Sequence, residues 1–215
     1  MRFSLTAAFL MLSTLAHAET VNLYAAGSLK AALTEVAKAF GKSKGGSVRV
    51  EIAFGPSGLL RERIEKGEPA HVFASADTNH PKRLTDQGRS MGQVRIFARN
   101  RLCALARSDL AVTPERLLDC MLDPNVRVGT STPKADPSGD YALALFAKAE
   151  SLKPGARATL ESKALQLTGG PTSEKAPPDR NQYAWVMETS KADLFLTYCT
   201  NAVLAKREVP ALEIV

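Results

Sequence analysis

The stretch VNLYAAGS, residues 21–28, decides the fold of this chain. Its first six residues are typical of a buried strand, and Ser28 follows at the start of an amphipathic helix. The stretch VRVEIAFGPSG, residues 48–58, repeats this order, with Ser57 at the start of a second helix. A serine at a helix start combines a hydroxyl with unpaired backbone N–H groups and the positive end of the helix dipole. The two serines therefore predict a site for a small anion where the strands end.

Strands and helices alternate along the rest of the chain, which is typical of an α/β fold. A short strand at 71–75 completes a β-α-β-α-β order with right-handed crossovers. Strand-like runs at 94–98 and 102–106, joined by the polar triplet 99–101, indicate a crossing into a second lobe. The expected elements of that lobe are a helix after Pro114, a strand at 126–129, a helix from Pro137, a loop at 169–178, a helix capped by Asp179 and a strand at 192–198.

The composition favours an exported globular protein. Of 215 residues, 45% are hydrophobic and 23% charged, and the net charge is +6. The lysines and arginines are scattered rather than clustered, which disfavours nucleic-acid binding. Residues 1–18 resemble a signal peptide, with Arg2 before the apolar run 5–15 and the cleavage motif Ala16-His17-Ala18. The signal peptide predicts export to the periplasm. No other stretch is long and apolar enough for a membrane span, so we expect no stable membrane insertion. We also expect the protein to be a monomer.

Three cysteines make one disulfide possible in an oxidising compartment. Cys103 lies in a predicted strand and Cys120 late in a predicted helix, and a bond between them would leave Cys199 as a free thiol. Sequence alone cannot judge the geometry of such a bond. Outside the leader only His71 and His80 are histidines, so a zinc site or another metal-dependent cofactor is not expected.

Five residues are candidate ligands for the anion: Ser28, Ser57, Ser138, Arg180 and Tyr198. Each has a simpler interpretation. The three serines could merely cap helices, and the tyrosine could satisfy its hydroxyl within the core. The arginine could pair with a nearby acid at the surface. Two serines at neighbouring strand ends favour the binding interpretation over the simpler one.

A hydrolytic enzyme is a weaker hypothesis. The segment Gly55-Pro56-Ser57-Gly58-Leu59 lacks the second glycine of a G-x-S-x-G nucleophile turn. A serine hydrolase using Ser28 or Ser57 would need His71 or His80 within hydrogen-bond reach of the hydroxyl. We therefore expect no enzymatic activity.

Five segments, in this order, resemble the periplasmic molybdate-binding proteins of ABC importers. They are AAGSL at 25–29, FGPSGLL at 54–60, GEPAHVFASAD at 67–77, PSGDYA at 137–142 and ADLFLTY at 192–198. The likeness extends from about Val21 to Val215. It implies a two-lobed type II periplasmic-binding-protein fold, with mixed sheets flanked by helices and a ligand cleft between the lobes.

The resemblance also implies the domain boundaries. Residues 19–98 would form lobe I, residues 99–208 lobe II, and residues 209–215 a return strand. Members of the family continue beyond this point with a further strand and a C-terminal helix.

The resemblance assigns roles to the five candidates. Ser28 and Ser57 would donate hydroxyl and backbone N–H bonds to tetrahedral molybdate or tungstate. Ser138 falls where the family uses a backbone N–H, and Tyr198 where it uses a phenolic hydroxyl. Arg180 falls near a position where the family offers a backbone N–H from a small or apolar residue. The oxyanion would be bound without direct metal ligands, without a cofactor, and for delivery to a membrane permease.

Two departures from the family pattern keep alternatives open. His71 replaces the acidic residue usual at its position, and Arg180 adds a charge after a longer, proline-rich loop. The alternatives are a receptor for sulfate, phosphate or a carboxylate that uses Arg180, a secreted serine hydrolase, and a remnant that binds nothing.

Overall fold

The computed structural model describes residues 18–215, so the predicted signal peptide, apart from Ala18, lies outside the described residues. The first sheet has three parallel strands in the order β2-β1-β3. They alternate with three helices: β1 (Glu19–Ala26), α1 (Lys30–Ser43), β2 (Val48–Gly55), α2 (Ser57–Glu65), β3 (Val72–Ala74) and α3 (Asn79–Asp86). The β-α-β-α-β order predicted from the sequence is confirmed.

The second sheet has five strands in the order β6-β5-β7-β4-β8. Its strands are β4 (Leu102–Arg107), β5 (Val128–Ser131), β6 (Leu165–Thr168), β7 (Leu194–Tyr198) and β8 (Leu212–Ile214). Its helices are α4 (Leu117–Leu122), α5 (Pro137–Leu152), α6 (Ala156–Lys163), α7 (Gln182–Glu188) and α8 (Cys199–Glu208). Because β4 runs antiparallel to both β7 and β8 while β5, β6 and β7 are parallel, the sheet is mixed, as expected. The exact lobe boundaries stay a prediction.

Helices cover both faces of the second sheet because its strands alternate apolar side chains on the two sides. Leu194 and Leu196 pack with Phe146 and Leu160 on the side of α4, α5 and α6. The intervening Phe195 packs on the opposite side, against α7 and α8. Phe146, Phe195 and Leu160 are completely buried. This two-sided core is what holds the end of β7 in place.

Two predicted elements differ from the structure. Residues 94–98 form no strand and are exposed, Ile96 by 61% and Phe97 by 63%. Apolar alternation makes a strand only where a neighbouring strand supplies hydrogen bonds, and here none does. Helix α7 is capped by Asn181 rather than Asp179, because the Asn181 side-chain oxygen accepts hydrogen bonds from the Tyr183 and Ala184 N–H groups. Among residues 18–215, no helix is long and apolar enough to cross a bilayer.

The disulfide joins Cys103 to Cys199, and Cys120 is free, so the Cys103–Cys120 bond that the sequence left open does not form. Antiparallel pairing places Cys103 opposite Thr197, which brings Cys199 close despite a separation of 96 residues. Cys103 packs on the α7 and α8 face, whereas Cys120 packs on the α4 to α6 face. The sheet therefore separates the two cysteines that are nearer in sequence.

Reduction of this disulfide should lower the free energy of unfolding by about 2–5 kcal/mol, because a long loop in the unfolded chain is released. Urea unfolding with and without reductant measures the change, and the double variant Cys103→Ser/Cys199→Ser should reproduce it. The control Cys120→Ser should stay sensitive to reductant. A disulfide peptide containing Cys120 in the mass spectrum would contradict the assignment.

Asp193, the residue before β7, pairs with Arg107 at the end of β4 and with Arg127 just before β5. Its carboxylate accepts hydrogen bonds from the Arg127 guanidinium at 2.6 and 2.9 Å and from the Arg107 guanidinium at 3.1 Å. Above all the Arg127 hydrogen bonds lower the pKa of Asp193 to about 2. Because this value lies below that of an unfolded aspartate, the carboxylate stabilises the folded state above about pH 4.

Stability should therefore fall as the pH drops from about 4 towards 2. The variant Asp193→Asn should be less stable than the wild type at pH 7 and should lose less on acidification. Denaturant titrations between pH 2 and 7 measure this, with Asp86→Asn on the exposed face of α3 as the control. Equal acid slopes for the wild type and Asp193→Asn would contradict the expectation.

Candidate functional site

The register of the first sheet brings the two predicted serines to one edge. Ala26 at the end of β1 pairs with Gly55 at the end of β2. Ser28 follows in a short 3-10 turn, and Ser57 is the first residue of α2. At this helix start the first backbone N–H groups have no partner within the helix, so those that no other group occupies can bind an anion.

Ser57 is the buried member of this pair. It is 1% exposed, and its hydroxyl oxygen accepts a hydrogen bond from the Ala76 N–H at 3.0 Å. Since that bond uses the oxygen, the hydroxyl proton remains able to donate. Ser28 is half-buried, and its side chain forms no hydrogen bond within residues 18–215. Both hydroxyls can therefore serve as donors.

Tyr198 reaches the same place from the second lobe. It ends β7, caps the start of α8 and is 5% exposed. Its hydroxyl lies 3.4 Å from the Ala76 carbonyl oxygen, a long contact that a better acceptor could replace. Burial raises its pKa well above the ordinary value, and the nearby Asp136 carboxyl raises it further. The phenol therefore stays protonated and acts as a donor.

Ser138 lies in the first turn of α5 and is completely buried. Its hydroxyl donates to the Ser131 hydroxyl at 2.8 Å, which in turn shares a hydrogen bond with Thr168. Its backbone N–H donates to a side-chain oxygen of Asp136 at 3.0 Å. The donor that the sequence assigned to the anion is thus held by a carboxylate of the protein itself.

The two lobes touch beside these donors. The Gly58 N–H, next to Ser57, donates to the Ala135 carbonyl oxygen at 2.8 Å. A Cβ atom at Gly58 would lie 2.7 Å from that oxygen and would also collide with the carbonyl of Lys134. Only glycine allows this approach, which brings the starts of α2 and α5 together.

The structure places the Arg180 side chain among acidic partners on the second lobe, and its assignment to the anion site stays a prediction. Its guanidinium forms ion pairs with Glu188 at 2.6 Å and Glu208 at 2.5 Å. Glu208 ends α8 and Tyr198 precedes this helix, so about 15 Å of helix separates Glu208, a partner of Arg180, from Tyr198. The simpler interpretation of Arg180, a surface pair with acids, describes its contacts.

The sequence analysis missed Asp136. The signal was present, because an aspartate before a proline is typical of a helix cap followed by the first helical residue. Asp136, and not Ser138, occupies the capping position of α5. A carboxyl group here matters, because it lies among donors suited to an anion.

A hydrolase would require a histidine hydrogen-bonded to Ser28 or Ser57, and the two histidines have other surroundings. The Nδ1 atom of His71 accepts a hydrogen bond from the Asn22 N–H at 2.8 Å. His80 is half-buried, and its Nε2 atom has no partner in the described part of the chain. Neither is hydrogen-bonded to Ser28 or Ser57 there. Within residues 18–215 no group of three or more His, Cys, Asp or Glu side chains is placed to hold a metal ion.

A larger cavity of about 1200 Å³ adjoins the donors. Segment 70–78, segment 89–102, Tyr141 on α5 and Tyr198 line it. The cavity meets the donor cluster at Ala76 and Tyr198. The cleft between the lobes thus extends from the donor cluster at Ala76 and Tyr198 into this cavity.

Comparison with known proteins identifies the family. The sequence profile described as "Bacterial extracellular solute-binding protein" matches residues 21–215. The chain belongs to this family. An uncharacterized protein of Pasteurella multocida is 41% identical over 182 residues, covering 84% of this chain and 74% of that protein. The molybdate-binding protein ModA of Mycobacterium tuberculosis is 31% identical over 123 residues, covering 54% of this chain and about half, 47%, of ModA.

Solved structures support the fold of this solute-binding protein. The sulfate-binding protein SubI of Mycobacterium tuberculosis has a TM-score of 0.71 at 18% identity, covering 92% of this chain and 70% of that one. The periplasmic molybdate-binding protein of Azotobacter vinelandii has a TM-score of 0.63 at 22% identity, covering 83% of this chain and 71% of that one. The predicted periplasmic-binding-protein fold is confirmed.

Substitution of Gly58 tests the contact between the lobes. Gly58→Ala should hold the lobes apart, because its methyl group collides with backbone carbonyls that cannot move independently; the strain is about 1–3 kcal/mol. Small-angle scattering should show a larger radius of gyration than for the wild type. Gly92→Ala is the matched control, since nothing lies within 4 Å of its added Cβ. Identical scattering from both variants would contradict the closure contact.

Proposed function

We propose that this solute-binding protein captures molybdate or tungstate between its lobes and delivers it to an ABC importer. The observation that carries the proposal is the meeting of Ser57 and Tyr198, donors from opposite lobes, at Ala76. Delivery to a permease follows from the family, whose members bind solutes outside the cytoplasm.

The chemistry of the cluster suits a dianion. Its donors are hydroxyls and backbone N–H groups at helix starts, which form stronger hydrogen bonds with an anion than with a neutral group. Arg61, one turn after Ser57 on α2, is a buried cation, and its guanidinium pairs with Glu62 and Glu65 of the same helix. Closure of the lobes would remove the anion from water and strengthen these bonds.

Molybdate is favoured by the relatives named for it. Sulfate is the second candidate, because a sulfate-binding protein matches the fold with a TM-score of 0.71. Both are tetrahedral dianions that the same donors can bind, so size separates them. Because the Arg180 guanidinium already pairs with Glu188 and Glu208, we do not assign a carboxylate or phosphate ligand to it.

Thermal unfolding of the mature protein with molybdate, tungstate, sulfate, phosphate or buffer alone tests the proposal. A ligand at a hundredfold excess over its Kd should add about 2.7 kcal/mol to the apparent stability. We expect this shift with molybdate and tungstate. A shift with sulfate alone would replace the ligand, and no shift with any anion would refute the proposal.

Variants then locate the site. Ser57→Ala and Tyr198→Phe should each weaken molybdate binding about 10- to 100-fold, the value of one hydrogen bond to a charged group. Arg180→Gln is the control and should leave the Kd within about twofold, because the arginine contacts only Glu188 and Glu208. Isothermal titration measures all three. A loss with Arg180→Gln larger than with Ser57→Ala would contradict this placement of the site.

A further inference from the structure

Asp136 accepts the hydrogen bond of an N–H group that the sequence analysis assigns to the anion. Its side-chain oxygen accepts the hydrogen bond of the Ser138 N–H, 3.0 Å away. The proposed function needs that same N–H for the ligand. A single N–H group that already donates to a carboxylate cannot donate a full hydrogen bond to a second anion. The Asp136 carboxylate therefore competes with the ligand for the Ser138 N–H.

The Asp136 side chain is held firmly in this position. A Cβ atom at Gly169 would lie 2.5 Å from the Asp136 Cβ and 2.7 Å from its Oδ2 atom. Gly169 has a φ of +77°, a conformation that glycine adopts without strain, so the loop after β6 packs directly on the carboxyl group. The group cannot simply swing away when an anion enters.

Asp136 has no cation as an ion-pair partner in the described part of the chain. None of the ion pairs among residues 18–215 includes it. The titratable groups that face it are the phenols of Tyr183 on α7 and Tyr198 on β7, and the carboxyl of Asp140 on its own helix. Burial raises the pKa of Asp136, Asp140 raises it further, and the Ser131 and Ser138 hydrogen bonds lower it in part.

A doubly charged anion beside an ionised, half-buried carboxylate would be repelled. One proton removes the conflict. Bound to Asp136, it turns the carboxyl group into a neutral donor to molybdate or sulfate. Bound to the ligand instead, as in hydrogen phosphate, it lets the carboxylate accept a hydrogen bond.

We propose that Asp136 is a specificity-determining residue of the anion site, and that an oxyanion binds there together with one proton shared between the ligand and the Asp136 carboxyl group. This inference rests on the proposed function. A site made only of donors would take up no proton when the anion binds, because none of its groups can accept one. The affinity for a dianion then depends on pH through Asp136.

Isothermal titration with molybdate at pH 6, 7.5 and 9, in buffers of different ionisation enthalpy, counts the protons taken up. The wild type should take up about one proton per anion at the higher pH values, and its Kd should rise about tenfold per pH unit there. Asp136→Asn should take up none and should bind molybdate at least tenfold more tightly than the wild type at pH 9. Asparagine caps helices well, so this variant should fold.

Asp140→Asn is the matched control, since Asp140 accepts a hydrogen bond from the Lys134 N–H instead. It should retain the proton uptake. Asp136→Ser, a second capping residue, replaces Asp136→Asn if melting shows that the latter is unfolded.

Tight molybdate binding without proton uptake at any pH would overturn this inference and leave the proposed function intact. Loss of the uptake in Asp140→Asn but not in Asp136→Asn would also overturn it. Binding by Asp136→Asn alone would support it, because the carboxylate then excludes the dianion. If neither the wild type nor the variants bind any of the four anions, the proposed function fails and this inference fails with it.

Discussion

The hydrogen bond from the Gly58 N–H to the Ala135 carbonyl oxygen is the contact on which the arrangement of the site depends. It joins the start of α2 in the first lobe to the segment that leads into α5 in the second. A side chain at Gly58 would keep these two helix starts apart. Because the contact exists, donors from both sheets surround one small volume, and the cleft becomes a place that can enclose an ion.

Rigid support behind the donors complements this contact. The end of β7 is fixed by a buried core on both sides, and the Cys103–Cys199 disulfide ties the residue after Tyr198 to β4. On the α5 side, Ser138, Ser131 and Thr168 form a buried chain of hydroxyls. Donors fixed before the ligand arrives lose little entropy on binding, which favours selection among anions by size and protonation.

A site built only from neutral donors disfavours ligands that must donate a proton, because it contains no acceptor for them. The Arg180 guanidinium is held by its own carboxylate partners, Glu188 and Glu208, whereas Asp136 lies beside the donors of α5. A resident carboxylate among anion donors makes the protonation state of the site part of ligand recognition. The same residue also caps α5, so structural and binding roles coincide in one side chain.

The sequence by itself determined the alternation of strands and helices, the fold class, and the placement of Ser28 and Ser57 where β1 and β2 end. These features arise from periodicity and helix-start preferences that act over a few neighbouring residues. The tertiary structure alone decided the partner of Cys103, the ion pairs of Arg180, and the absence of a strand at residues 94–98. Each of these depends on which distant segment lies alongside, because long-range contacts within the chain follow the topology of the sheets rather than proximity in sequence.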